Sequence, residues 1–142
     1  MSGHKFKKKA KSINKDLKVL GVTILTSLNN KSLKEIGHTR SVEQLVLKQA
    51  DLIKKSGCDG IVSSGLEVPF IREHIDNKLI AVTPGIRPVA NDDDQKRVVD
   101  VATAFKSGSD YIVVGRPIKN AENRYEAASN IQKIIKKTFE SV

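Results

Sequence analysis

The chain has 142 residues, of which 39% are hydrophobic and 29% charged, with nine glycines and four prolines. That length suits one domain with a real buried core, and the composition excludes a disordered tail, a collagen-like repeat or a membrane protein. The formal net charge is +9, but +6 of it lies in residues 1–18, which weakens a basic nucleic-acid-binding surface as the function of the whole.

Residues 1–18 carry seven lysines (5, 7, 8, 9, 11, 15 and 18) against Asp16 and read as a basic N-terminal helix or frayed segment. Trp is absent and Phe6 is the one aromatic nearby, so a base-stacking platform is not expected and nucleic acid is an unlikely partner. No apolar stretch follows the lysines to make a secretion signal, and none reaches the roughly 18 residues of a spanning helix. A soluble, cytoplasmic protein is the expectation.

Residues 19–142 repeat one pattern four times: a short β-branched run, a turn, then a segment of helical period. The strands are expected at residues 19–27, 60–63, 79–83 and 111–114, as continuous apolar runs suited to burial on both faces. A capping box at Ser41-Val42-Glu43-Gln44 opens a helix with Val42, Leu45, Val46, Leu52 and Ile53 on its apolar stripe and Gly57 as its stop. Further helices are expected at 67–74, at 95–106 (Val98, Val99, Ala102 and Phe105 inward) and at 124–139 (Ala127, Ala128, Ile131, Ile134 and Ile135 inward). Alternating strands and helices imply a parallel α/β sheet with right-handed crossovers. A small open sandwich and four consecutive units of an eight-unit barrel both fit.

In such folds ligands bind at the carboxyl ends of the strands. The first strand ends in Thr26-Ser27. The third ends in Thr83-Pro84-Gly85-Ile86-Arg87, followed by Asn91-Asp92-Asp93-Asp94-Gln95, and the fourth in Gly115-Arg116-Pro117-Ile118. Gly115 admits close backbone approach to an anion, Arg116 can grip two oxygens, Arg87 adds a second charge and Gln95 an amide donor. Arg116 alone suits a surface ion pair equally well, whereas the two arginines at neighbouring strand ends suit a phosphate. His4, His38 and His74 lack metal-ligand spacing, the aspartates at 92–94 suit a helix N-terminus, and Cys58 suits a small packed residue, so no metal is expected.

VTILTS, SGCDGIVSS, VTPGIRP with a downstream DDQKR, and DYIVVGRPI together resemble the C-terminal half of orotidine 5′-phosphate decarboxylase, nearest its bacterial branch. The resemblance runs in order over residues 19–137, and Met1-Ser2-Gly3 is similar to the Ser-Gly after the family's fourth strand. It implies α/β architecture of one kind: half of a (β/α)8 TIM barrel, four parallel βα units matching family strands five to eight. It implies a homodimer or other homo-oligomer, and conversion of orotidylate to uridylate and carbon dioxide, a step of pyrimidine (UMP) biosynthesis, without cofactor. By position, Thr26 would contact the nucleotide with Ser27 facing the pyrimidine, while Arg87, Gln95, Gly115 and Arg116 hold the 5′-phosphate.

The family's catalytic centre, Asp-x-Lys-x-x-Asp on its third strand with a lysine on the second, has no counterpart here. Asp16-Leu17-Lys18 begins like that motif but continues to Gly21 and precedes its strand, so no catalytic residue is assigned. Three readings follow. The chain is a binding half that needs a partner carrying strands one to four; or it is an inactive remnant that binds nucleotide phosphate at most; or it is a basic nucleic-acid-binding module. A half-barrel also leaves an open sheet face, so self-association or closure on a partner is expected to bury Val22, Ile24, Ile61, Val82 and Val113 or their neighbours.

Overall fold

The computed structural model describes residues 3–24, 26–87 and 97–140. Helix α1 (Gly3–Ile13) leads into strand β1 (Leu20–Val22), and helices α2 (Asn30–Glu35) and α3 (Val42–Lys55) precede β2 (Gly60–Val62). Helix α4 (Val68–His74), β3 (Ile80–Thr83), α5 (Val101–Lys106) and β4 (Tyr111–Ile112) follow, and α6 (Arg116–Lys119) and α7 (Arg124–Glu140) end the chain. The four strands form one parallel sheet in sequential order, β1-β2-β3-β4. None of the helices among the described residues is long and apolar enough to cross a membrane.

The expected strands are present but shorter. The apolar run at 19–27 yields a three-residue strand, because the chain leaves the ladder after Thr23, whose amide and hydroxyl both donate to the Val62 carbonyl (3.0 and 2.9 Å). The expected helix at 95–106 begins only at Val101. Asp100 caps it, accepting from the Thr103 amide at 2.8 Å, while Val99 pairs with Ile86 in a parallel bridge. The capping box forms as read: Ser41 Oγ accepts from the Gln44 amide and Gln44 Oε1 from the Ser41 amide, both at 3.2 Å. On α3 the buried stripe is Val42, Val46 and Ala50, whereas Leu52 is 54% exposed and faces outward. Two short helices, α2 and α6, carried no sequence signal that was read.

Helices cover one face of the sheet, and two apolar clusters lie beneath them. The first joins Ile61 and Ala81 of the sheet to Leu33, Val46, Val68 and Ile71 of α2, α3 and α4. The second joins Ile86, Val99, Val101, Ala104 and Ile131, with Ile112 and Ile118 against it, under α5, α6 and α7. Phe105 and Phe139 close that cluster edge to face, with centroids 5.3 Å apart. The opposite face is open. Register sets Val22 beside Val62, Val62 beside Val82 and Val82 beside Tyr111, with Val22 59% and Val113 50% exposed. Ile61 belongs to the other side: strand alternation turns it into the helical layer, where it is fully buried, so it is unavailable to a partner.

At the amino end of the sheet one joint occurs twice. Ser56-Gly57-Cys58-Asp59 precedes β2 and Ser107-Gly108-Ser109-Asp110 precedes β4; each serine ends a helix and each glycine takes positive φ (75° and 94°). Asp59 accepts from the Val19 amide (2.9 Å) and returns its own amide to the Val19 carbonyl (2.8 Å). Asp110 does the same with Ala81 (2.8 and 2.9 Å). A cation completes each joint. Lys11 and Lys7 of α1 pair with Asp59 at 2.9 and 3.1 Å, and Lys7 also reaches the Gly57 carbonyl; Arg72 of α4 pairs with Asp110 at 2.7 Å and donates to the Gly108, Leu79 and Asn77 carbonyls. The basic helix is thus docked by two of its lysines.

Burial raises the pKa of Asp59, but the Val19 amide, Lys11 and Lys7 outweigh it and hold the carboxyl well below the usual carboxylate range. A depressed folded-state pKa contributes stability that is complete above the unfolded value and is lost as pH falls toward the folded one. Asp59→Asn is therefore expected to lose about 1–3 kcal/mol at pH 7. In urea denaturation the gap from wild type should narrow steadily below about pH 4.

Candidate functional site

At the carboxyl end of the sheet, the tails of β1, β3 and β4 converge on a cleft of about 250 Å³ lined by Thr26, Pro84, Gly85, Arg87, Val113, Gly115 and Arg116. Four of the six residues singled out from the sequence, Thr26, Arg87, Gly115 and Arg116, meet in this wall. Ser27 sits half-buried on the same turn as Thr26 and is not among the lining residues. Gln95, with the aspartates at 92–94, lies outside the described residues.

Each wall has a local cause. Beyond β3 the chain bends at Gly85, whose φ of +79° is in the left-handed region. A Cβ there would stand 3.2 Å from the Arg97 carbonyl oxygen and 3.2 Å from Thr26 Cγ2, so the position is closed by conformation and by space. The bend lets Arg87 donate its amide to the Val99 carbonyl (3.0 Å), fixing the backbone beneath its side chain. That side chain is buried, and its Nη1 donates to the Ile86 carbonyl at 2.9 Å. Beyond β4, the Val113 amide continues the ladder to the Thr83 carbonyl (2.8 Å). Gly115 then begins the turn into α6, and a Cβ on it would meet no atom within 4 Å.

The turn carrying Thr26 is held from behind by a residue the sequence reading passed over. Arg97 is 6% exposed and directs its three guanidinium nitrogens to three residues on two segments. Its Nη2 donates to the Ile24 carbonyl and its Nε to the Leu28 carbonyl, both at 2.9 Å, and its Nη1 pairs with Glu67 Oε1 at 2.7 Å. Glu67, 7% exposed, stands at the foot of α4 just past β2. Arg97 ends the DDQKR string, and its position two residues after Gln95 was the available clue.

Chemically the cleft offers two guanidinium groups, one hydroxyl and exposed backbone at a glycine, with no carboxylate among its described lining residues. Guanidinium, hydroxyl and amide donors of this kind are chemically suited to an oxyanion. Among the described residues no group of three or more His, Cys, Asp and Glu is placed to hold a metal ion.

The model of the orotidine 5′-phosphate decarboxylase / HUMPS family matches residues 2–131. The chain belongs to this family. It is 53% identical over 125 residues to the orotidine 5′-phosphate decarboxylase of Methylococcus capsulatus, covering 87% of this chain and 52% of that one. To the orotidine 5′-phosphate decarboxylase of Geotalea daltonii it is 54% identical over 115 residues, covering 80% and 48%. The crystal structure of orotidine 5′-phosphate decarboxylase from Lactobacillus acidophilus matches with a TM-score of 0.66 at 37% identity, over 82% of this chain and 48% of that one. The chain thus spans about half the length of the decarboxylases it matches. Its four parallel βα units are half of their TIM barrel, which decides between the open sandwich and the barrel.

Gly85→Ala tests how the walls meet. The left-handed φ and the contact with the Arg97 carbonyl both oppose a methyl group, so the variant is expected to lose about 1–3 kcal/mol in denaturant melts. A Gly115→Ala control, which meets open space, should stay within about 0.5 kcal/mol.

Proposed function

We propose that this chain is the nucleotide-phosphate-binding half of an orotidine 5′-phosphate decarboxylase, equivalent to strands five to eight of the barrel, and that it does not decarboxylate on its own. The observation that carries the reading is the convergence of Thr26, Arg87 and Arg116 on one cleft whose remaining wall is glycine backbone. Arg116, half-exposed at the rim, and Arg87, buried at the back, hold the 5′-phosphate from two directions; Gly115 leaves room for an oxygen against its amide. Thr26 meets the nucleotide beside the phosphate, Ser27 faces the pyrimidine and Gln95 adds an amide donor. The phosphate is remote from the carbon that loses carbon dioxide. Binding energy collected here is available to drive the substrate carboxylate into an unfavourable environment elsewhere in a complete site. These 142 residues contain no Asp-x-Lys-x-x-Asp sequence, so the proton donor and the opposing carboxylates must come from strands one to four on another segment or chain. The chemistry requires no cofactor and belongs to cytoplasmic pyrimidine nucleotide synthesis.

Calorimetric titration with uridine 5′-monophosphate is expected to show saturable binding. Arg116→Ala should weaken it tenfold or more, the loss of one charge-assisted hydrogen bond of about 1.5–3 kcal/mol. Binding that ignores the substitution overturns the reading, and no binding by wild type leaves an inactive remnant of the fold.

The open sheet face is the second element of the reading. Val22, Val82, Tyr111 and Val113 lie where the other half of a barrel would pack, and β1 and β4 are both unpaired edges. The isolated chain is expected to cover this face with a second copy. Sedimentation at high concentration should show a species heavier than the monomer, and Val22→Asp should dissociate it. A well-folded wild-type monomer under those conditions refutes self-association.

A further inference from the structure

We propose that Arg97 is a positioning residue for the phosphate cleft, holding the Thr26 turn through the carbonyls of Ile24 and Leu28 while Glu67 balances its charge. The inference rests on the reading of the cleft as a phosphate site and adds to it a residue that reaches the ligand only through Thr26.

The argument begins with the cost of burying Arg97. A guanidinium is charged at every accessible pH, and taking it out of water is unfavourable unless its donors are used. An apolar side chain of similar volume would fill the space without that cost. What it could not supply is a planar fork of donors in fixed directions. The structure uses the fork in that sense: Nη2 and Nε donate to carbonyls on either side of Thr26, and Nη1 forms an ion pair with Glu67 on the next βα turn. Those two carbonyls lie past the end of β1, beyond its last paired residue Val22. The Arg97 backbone acts at the same place. Its carbonyl oxygen and the Thr26 side chain flank the α-carbon of Gly85, so one residue supports the turn through its side chain and the opposite wall through its main chain. Movement of the Ile24 and Leu28 carbonyls would carry Thr26 with them and open the cleft on its β1 side. Glu67 closes the circuit, since a buried guanidinium without a counter-charge would unfold the turn it is meant to hold.

The test separates positioning from general stability. Arg97→Lys keeps the charge opposite Glu67 but cannot donate to both carbonyls and the carboxylate at once. Uridine 5′-monophosphate affinity, measured on the full chain by calorimetry, is expected to fall about tenfold in R97K while the circular dichroism spectrum and cooperative melt remain. In a Thr26→Val background the same change should cost less than about twofold, because the turn then has no hydroxyl to misplace. Should R97K fail to fold, the neutral pair Arg97→Gln with Glu67→Gln removes the fork without stranding a charge and carries the same expectation. Affinity within twofold of wild type, or an equal loss in the Thr26→Val background, overturns the proposal.

A second readout needs no ligand. Amide hydrogen exchange at Thr26 and Ser27 should accelerate about tenfold in R97K, and unchanged exchange also overturns the proposal. If wild type binds no uridine 5′-monophosphate, or Arg116→Ala leaves binding intact, the phosphate reading fails. The exchange measurement then decides separately whether Arg97 holds the turn.

Discussion

The buried guanidinium of Arg97 ties together the segments that follow β1 and β2 at the carboxyl end of this half-barrel. Strands β1, β2 and β3 are hydrogen-bonded along the ladder, and beyond it their tails are joined at separate points. Arg97 bridges the tails of β1 and β2, and the bridge between Ile86 and Val99 brings the β3 tail to the same point. Hydrophobic burial could not do this, because the groups to be joined are carbonyls and a carboxylate. The electrostatic cost of burying Arg97 and Glu67 is offset only if both stay in register with their partners, which makes the arrangement cooperative.

The two faces and two ends of the sheet divide the remaining tasks. The helical face holds both apolar clusters and supplies most of the stabilising burial. The opposite face, with Val22, Tyr111 and Val113 exposed, is built for a layer that this chain does not contain. The cleft sits at the carboxyl end of the sheet, lined by the tails of β1, β3 and β4. Under the proposed function, an anion would be held by residues of this half alone, whereas chemistry on the remainder of a nucleotide would need the other half of the barrel.

Much of this was legible from the amino-acid order. Four β-branched runs gave the parallel sheet, the Ser41–Gln44 capping box gave the start of α3, and residues at the strand ends gave four members of the cleft. What was missed has physical causes. The run at 19–27 is apolar throughout, but nothing local says that Arg97 will bend its second half away from the ladder. Val98 and Val99 have helical spacing with Ala102 and Phe105, yet Val99 gains more from a bridge to Ile86 than from an added turn of α5. Leu52 fits the apolar stripe of α3 by spacing and lies outside it in space, since the stripe follows Val42, Val46 and Ala50. The pairing of Glu67 with Arg97 joins two distant segments, and no local pattern encodes such a meeting. Ile61 was assigned to the wrong face because a continuous apolar run carries no alternation from which to choose.

The doubled Ser-Gly-x-Asp joint has its own implication. Asp59 and Asp110 each lock a strand to its predecessor at the end of the sheet farthest from the cleft, each with a cation drawn from a preceding helix. Strand register is thereby set where no ligand is bound. The half-barrel behaves as two like quarters, each with its own alignment pin at the base. Sequence drift in the loops at the opposite rim can alter what is recognised there without disturbing how the strands line up.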